Sequence, residues 1–171
     1  MSQIIQSPRE YFETYVLPSY SDYLAKPDDL RLAMNVATSA YSLSEWIWKT
    51  YSTVDSKMVF QQKSLKDFRA FLNANECVDF LSRKSESDFH ILADIVDGYK
   101  HLHLTHGKGL VSSAPAVSAG PSRYGEFRWG EGTWGHNNVR VQLDQGTPRV
   151  FSSIIRNVIE MWQRLFSTLY V

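Results

Sequence analysis

The sequence predicts a mainly α-helical domain: an antiparallel bundle of about five helices with a small β-hairpin inserted before the last helix. Three observations predict this fold. Four segments independently repeat apolar residues at the helical period. Serine, proline and acidic residues stand where several of these segments begin, as they do at helix starts. A glycine-rich stretch with alternating apolar residues interrupts the helical pattern between about 124 and 151.

The first two helices are marked by their starts. Ser7 offers a cap and Pro8 occupies the first helical position. Pro18 is expected to end or kink this helix, because proline lacks the amide donor. Asp28 and Asp29 then introduce the second helix at the positive end of its dipole. Its apolar residues between positions 30 and 48 cover an arc of roughly 200°, which predicts a helix at the centre of the bundle.

Three further helices follow the same logic. Ser64 begins the third, and Ser85 or Ser87 caps the fourth, which is expected from Glu86 to about His103. The last helix has a strong apolar face at spacings of three and four: Phe151, Ile154, Ile155, Val158, Trp162, Leu165 and Leu169.

The segment between the fourth and last helices has a different composition. Residues of about 107–123 are small and polar and predict a flexible loop. A β-hairpin is expected at about 124–151, where Val139, Val141 and Leu143 alternate with polar residues before a short returning strand from Pro148 to Phe151.

Length and composition predict a single domain spanning 1–171 in a reducing cytosol. The chain has one cysteine, Cys77, so no disulfide can form within it. No signal peptide and no stretch approaching ~18 apolar residues is present, so neither export nor membrane insertion is expected. Eighteen basic residues balance eighteen acidic ones, which argues against strong non-specific binding to nucleic acid. The mild basic excess after Gly107, which includes Arg149, is interpreted as a solvated surface.

A polar stripe on the fourth helix contains the main candidate residues. His90, Asp94, Asp97 and His101 fall within about 60° of one another at 100° per residue. The stripe is interpreted foremost as a solvated face, and alternatively as half of a metal site or as a place for proton transfer. Lys100 adjoins His101, and the two together could contact a phosphate.

Metal binding requires more ligands than this stripe supplies. One straight helix usually provides two ligands to a zinc ion, and no other segment carries a second His or Cys pair. We therefore expect a protein without metal or other cofactor as purified.

A second candidate region is the glycine-rich stretch around Trp129, Trp134 and His136. Closely spaced glycines allow the backbone to approach a ligand, and the tryptophans offer stacking surface, so one interpretation is a binding platform. The favoured interpretation is that both tryptophans clamp the hairpin onto the bundle.

Several stretches together resemble a group of uncharacterised bacterial helical proteins. These are an Asp-Leu-Arg helix within PREYFETYVLPSYSDYLAKPDDLRLAMNVATSAYSLSEWIW, a Lys-His-Leu segment within DIVDGYKHLHL, and a hairpin containing WGEGTWG and VRVQLDQGTPRVF. A weaker likeness is to HEPN domains, in which an Arg and a His separated by four to six residues cleave RNA without metal at a dimer interface. Arg83 and His90 enclose six residues.

These features give two functional hypotheses. The first is a non-enzymatic binding or regulatory module of the bacterial cytosol, acting through the polar stripe and the Gly/Trp-rich hairpin. The alternative is a homodimeric HEPN-like ribonuclease that would use Arg83 and His90, with Lys100 and His101 as a second candidate pair. Lack of a nucleophile, phosphate-loop or dinucleotide motif favours the first.

Overall fold

The computed structural model describes residues 5–51, 62–76, 87–101, 110–111, 113–121 and 136–168. Within these ranges the chain is mainly helical, with a small antiparallel sheet before the last helix, which confirms the predicted fold class. The elements are α1 (Pro8–Tyr11), a π-helical turn (Phe12–Val16), α2 (Leu17–Ala25), α3 (Leu30–Tyr51), α4 (Leu65–Phe71), a second π-helical turn (Leu72–Glu76), α5 (Asp88–His101), a 3-10 turn (Ala114–Ala116), β1 (Val117–Pro121), β2 (Asn137–Val141), β3 (Arg149–Val150) and α6 (Phe151–Thr168).

Side-chain caps fix three of the helix starts that the sequence predicts. Ser7 Oγ accepts a hydrogen bond from the Glu10 amide, and Ser64 Oγ accepts one from the Asp67 amide. The Asp29 carboxylate accepts the first amides of α3 in the same way. The helices therefore begin where local capping chemistry satisfies otherwise unpaired backbone donors.

Pro18 does not end the first helix. The helical path runs from α1 through the π turn into α2, with Pro18 in the first turn of α2. The Leu17 amide donates to the Phe12 carbonyl across the π turn. This wider turn lies directly before the proline, in the place where a proline removes an ordinary helical hydrogen bond.

Helix α3 lies at the centre of the bundle, as its wide apolar arc predicts. It contacts α1, α2, α4, α5 and α6. The Trp162 indole of α6 donates to the Ala40 carbonyl of α3 at 3.0 Å, so the polar edge of this fully buried ring is satisfied. The predicted apolar face of α6 is buried from Phe151 through Leu165.

The inserted segment forms a three-stranded antiparallel sheet in the order β1-β2-β3. Pairing of β2 with β3 confirms the returning strand, and Val139, Val141 and Leu143 point into the core as predicted. The expected loop of 107–123 is wrong at 117–121, which is strand β1 paired with β2. At Gly120 the Arg140 Nη2 atom lies 2.8 Å from where a Cβ would stand, so the small residues of β1 leave space for a long side chain across the strand.

The sheet is attached to the helices through the backbone as well as through its apolar face. The Val139 amide of β2 donates to the Pro27 carbonyl, between α2 and α3, at 3.0 Å. In the described part of the chain, no helix combines the length and the apolar character required to cross a lipid bilayer.

Candidate functional site

The polar stripe of α5 divides into a buried and an exposed part. The His90 side chain is 39% exposed, whereas that of Asp94 is 12% exposed. Asp97 is partly exposed and Lys100 is exposed. The interpretation of a wholly solvated face is therefore wrong at Asp94 and fits the other described side chains.

Asp94 is engaged with the chain that leads to the sheet. Its Oδ2 atom accepts hydrogen bonds from the amides of Leu110 at 2.6 Å and Val111 at 3.3 Å. Burial raises the pKa of the Asp94 carboxyl, and the two amides and the nearby His90 offset this rise only in part. The sequence places Asp94 on the stripe but carries no signal of this backbone partner, which lies sixteen residues further along.

His90 and Asp94 do not form a tight pair. The His90 Nε2 atom lies 3.7 Å from Asp94 Oδ1, which is too long for a hydrogen bond. Among the residues that the structure describes, no three His, Cys, Asp or Glu side chains come together in a geometry that could hold a metal ion.

A second polar cluster adjoins the stripe, and sequence analysis did not identify it. The Arg69 guanidinium of α4 lies over the Tyr41 ring of α3, 4.4 Å from its centroid. Arg69 Nε donates to Ser44 Oγ at 3.0 Å, and Ser44 Oγ donates to the Tyr41 carbonyl at 2.8 Å. Ser44 is fully buried, so it is a fixed acceptor for the arginine.

The Arg69 cluster lies beside α5, because the centroid of the Tyr41 ring is 5.7 Å from that of Phe89 on that helix. Burial raises the pKa of the Tyr41 hydroxyl; Arg69 counteracts this rise, while Asp97 and Asp94 add to it. We use the name "α3–α4–α5 polar surface" for this cluster together with the stripe: Tyr41, Glu45, Lys49, Arg69, His90, Asp94, Asp97 and Lys100.

A buried ion pair lies in the core of the described chain. Arg149 of β3 and Asp88, the first residue of α5, are each 1% exposed, and Arg149 Nη1 donates to Asp88 Oδ1 at 2.9 Å. Asn157 Nδ2 of α6 donates to Asp88 Oδ2 at 2.5 Å. The expectation of a solvated Arg149 is therefore wrong, because a buried carboxylate neutralises it. This group joins three elements and has a structural role.

Other predicted site residues are not brought together by the described structure. Arg83, Trp129 and Trp134 lie outside the described residues. His101 is the last residue of α5, and its side chain is also outside them. His136 is exposed just before β2, where its carbonyl accepts a hydrogen bond from the Asn138 side chain.

Comparison with known proteins does not assign the chain to a family. No protein-family model, no curated protein and no solved structure shows significant similarity to the chain.

Proposed function

We propose that this protein is a non-enzymatic binding or regulatory module of the bacterial cytosol, which recognises a partner with its α3–α4–α5 polar surface. The observation that supports this proposal is that Asp94 has a structural role. A general base needs a carboxylate that can reach the substrate and exchange a proton with it. The Asp94 carboxylate is instead buried and bound to two backbone amides.

The groups that remain accessible suit recognition. His90, Asp97 and Lys100 present an imidazole, a carboxylate and an ammonium group along one helix face. Arg69 of α4 lies over Tyr41 of α3, the helix against which α5 packs. Groups of both signs on one surface favour a specific partner through complementary charge. These side chains project from packed helices, α3, α4 and α5. Because the helices are already ordered, less conformational entropy is lost when the side chains bind a partner.

A two-part experiment tests the proposal. The variant His90→Ala/Asp97→Asn/Lys100→Ala removes three groups of the surface, and Arg156→Ala/Glu160→Gln removes two exposed groups of α6 as a matched control. The unmodified chain is first used to isolate a binding protein from an extract of the natural host, and that protein is purified. The purified protein should bind the unmodified chain and the α6 control but not the triple variant. Equal binding by all three would overturn the proposal.

The enzymatic part of the experiment uses RNA, a nucleoside triphosphate and an ester as substrates. We expect no turnover above that of a denatured sample. A rate that disappears in His90→Ala or His101→Ala would also overturn the proposal.

The ribonuclease alternative is favoured by one observation, the accessibility of the His90 imidazole. It requires that His90 and Arg83 meet their symmetry mates in a dimer, so the molar mass from light scattering tests it independently of activity. RNA cleavage by a dimer, lost in both Arg83→Ala and His90→Ala, would support it over the binding module.

A further inference from the structure

We infer that Arg69 is the anchor of this binding surface and that it recognises a single carboxylate group of a protein partner, an Asp or Glu side chain or a chain terminus. The inference rests on the proposed binding function and specifies the chemistry of the partner. Four features of the Arg69 environment carry it.

The first feature is that Arg69 is held in one orientation. The Tyr41 ring supports the guanidinium on one side, with its centroid 4.4 Å from the guanidinium carbon, and the hydrogen bond from Nε to Ser44 Oγ restricts how the group can turn. Both supporting residues are buried, at 8% and 0% exposed, and belong to the central helix. A guanidinium held this way loses little further freedom when it binds a ligand.

The second feature is that the two terminal nitrogens remain available. Within the described ranges, Ser44 is the only hydrogen-bond partner of the guanidinium. Arg69 is partly exposed, and neither its Nη1 nor its Nη2 is among the buried side-chain atoms that have no hydrogen-bond partner. Two parallel N–H groups in one plane match the two oxygens of a carboxylate.

The third feature is that no acid of the described residues forms a direct ion pair with Arg69. The closest contact of Glu45 is with Lys49, at 2.7 Å, and this ammonium is the main cause of the lowered pKa of Glu45, with smaller effects from Arg69 and Lys100. Asp94 is bound to the amides of 110–111. Glu45 and Asp94 thus have other principal partners, and Asp97 forms no ion pair with Arg69 within the described residues.

The fourth feature is the charge balance, which selects the kind of anion. By formal charge, the α3–α4–α5 polar surface has three basic residues, Arg69, Lys49 and Lys100, and three acidic ones, Glu45, Asp97 and the buried Asp94. Tight binding of a phosphate chain needs several uncompensated cations. A surface without net charge, with one oriented guanidinium, fits one singly charged carboxylate.

The test follows the Nε–Hε signal of Arg69 by nuclear magnetic resonance on the full chain. The probes are an end-blocked Gly-Glu-Gly peptide, its Gly-Gln-Gly counterpart and inorganic phosphate, each at pH 7 and low salt. The Glu peptide should shift this signal with an apparent Kd on the order of 10 mM, as expected for one charged contact, and the Gln peptide should not. Equal shifts with both peptides, no shift with the Glu peptide, or a larger shift with phosphate would each overturn the inference.

Two variants separate recognition from folding. Arg69→Lys keeps the charge but cannot bind two oxygens in one plane, so peptide binding, followed through backbone amides near residue 69, should weaken about tenfold. Ser44→Ala keeps the guanidinium and releases its Nε atom, so binding should weaken about threefold. Arg156→Lys on α6 is the control and should change nothing. Unchanged binding in folded Arg69→Lys or in Ser44→Ala would contradict the inference.

The two proposals fail separately. If Arg69→Lys still binds the partner protein while the triple variant of α5 does not, the carboxylate assignment is wrong and the binding function stands. If the Glu peptide binds at Arg69 but the triple variant retains its partner, the partner-binding surface is misplaced.

Discussion

Removal of the Asp88 charge is the perturbation for which the structure gives the clearest energetic expectation. Asp88→Asn keeps the size of the side chain but leaves the Arg149 guanidinium, 1% exposed, without its neutralising carboxylate. Breaking one side of a buried ion pair costs about 3–5 kcal/mol, because a charge remains in the interior. For a domain of this size, that loss should lower the melting temperature by roughly 6–20 °C.

A double-mutant cycle separates the energy of the Asp88–Arg149 interaction from the cost of burying each charge alone. Arg149→Met alone should cost a similar amount, because it leaves the Asp88 carboxylate buried. The double variant Asp88→Asn/Arg149→Met removes both charges, so it should cost clearly less than the sum of the single variants. Urea unfolding followed by tryptophan fluorescence gives the free energy of unfolding of each protein.

An exposed pair of the same chemistry provides the control. Lys49 and Glu45 approach to 2.7 Å, but their side chains are 72% and 46% exposed. Glu45→Gln should change the free energy of unfolding by about 0.5 kcal/mol or less, because solvent screens such a pair. If Asp88→Asn also costs less than about 1 kcal/mol, or if the double variant costs the full sum, the account of the buried group is wrong.

Four further predictions concern other polar contacts. Asp94→Ala leaves the 110–111 amides unpaired and should lower the free energy of unfolding by about 2 kcal/mol in urea titration, whereas Asp94→Asn keeps an oxygen acceptor and should cost about 1 kcal/mol or less. Because burial raises the pKa of Asp94, the folded state holds its proton more tightly. The contribution of Asp94 to the free energy of unfolding is therefore present below the ordinary pKa of an aspartate and is lost as pH rises through the raised pKa. If Asp94→Asn shows the same dependence of unfolding free energy on pH as the unmodified protein, this prediction is wrong. Trp162→Phe loses the bond to Ala40 and leaves a void, so calorimetry should show a loss of about 2 kcal/mol, and a loss below 0.5 kcal/mol would refute that role. Ser64→Ala removes a cap at an exposed site and should cost about 1 kcal/mol, and an unchanged urea midpoint would show that the cap is dispensable.

Features of the fold that depend on short-range chemistry could be predicted from the sequence. The caps at Ser7 and Ser64 act within three residues of themselves, so the local sequence contains both donor and acceptor. The apolar faces of α3 and α6 likewise follow from the helical period. These elements could be predicted because every relevant group lies within the same helix.

Features that depend on distant partners could not be predicted in the same way. Asp88 and Arg149 are 61 residues apart, and a charged residue without a known partner is assigned to the surface by default. In strand β1, Val117 is the one residue with a high strand preference, and the other four, Ser-Ala-Gly-Pro, have little. It forms because β2 offers an edge and because Gly120 leaves space for the Arg140 side chain.

Helix α5 links the α3–α4–α5 polar surface to the inserted sheet. Asp88 at the start of this helix holds β3 through Arg149, and Asp94 in its middle holds the amides of 110–111. The Leu110 carbonyl in turn accepts the Asp144 amide from the chain between β2 and β3. Acidic residues of α5 therefore fasten the insertion. Because Asp94 also lies beside His90 and Asp97 on the same helix, displacement of the 110–111 segment would unbury a carboxylate within the proposed binding surface and change its charge pattern.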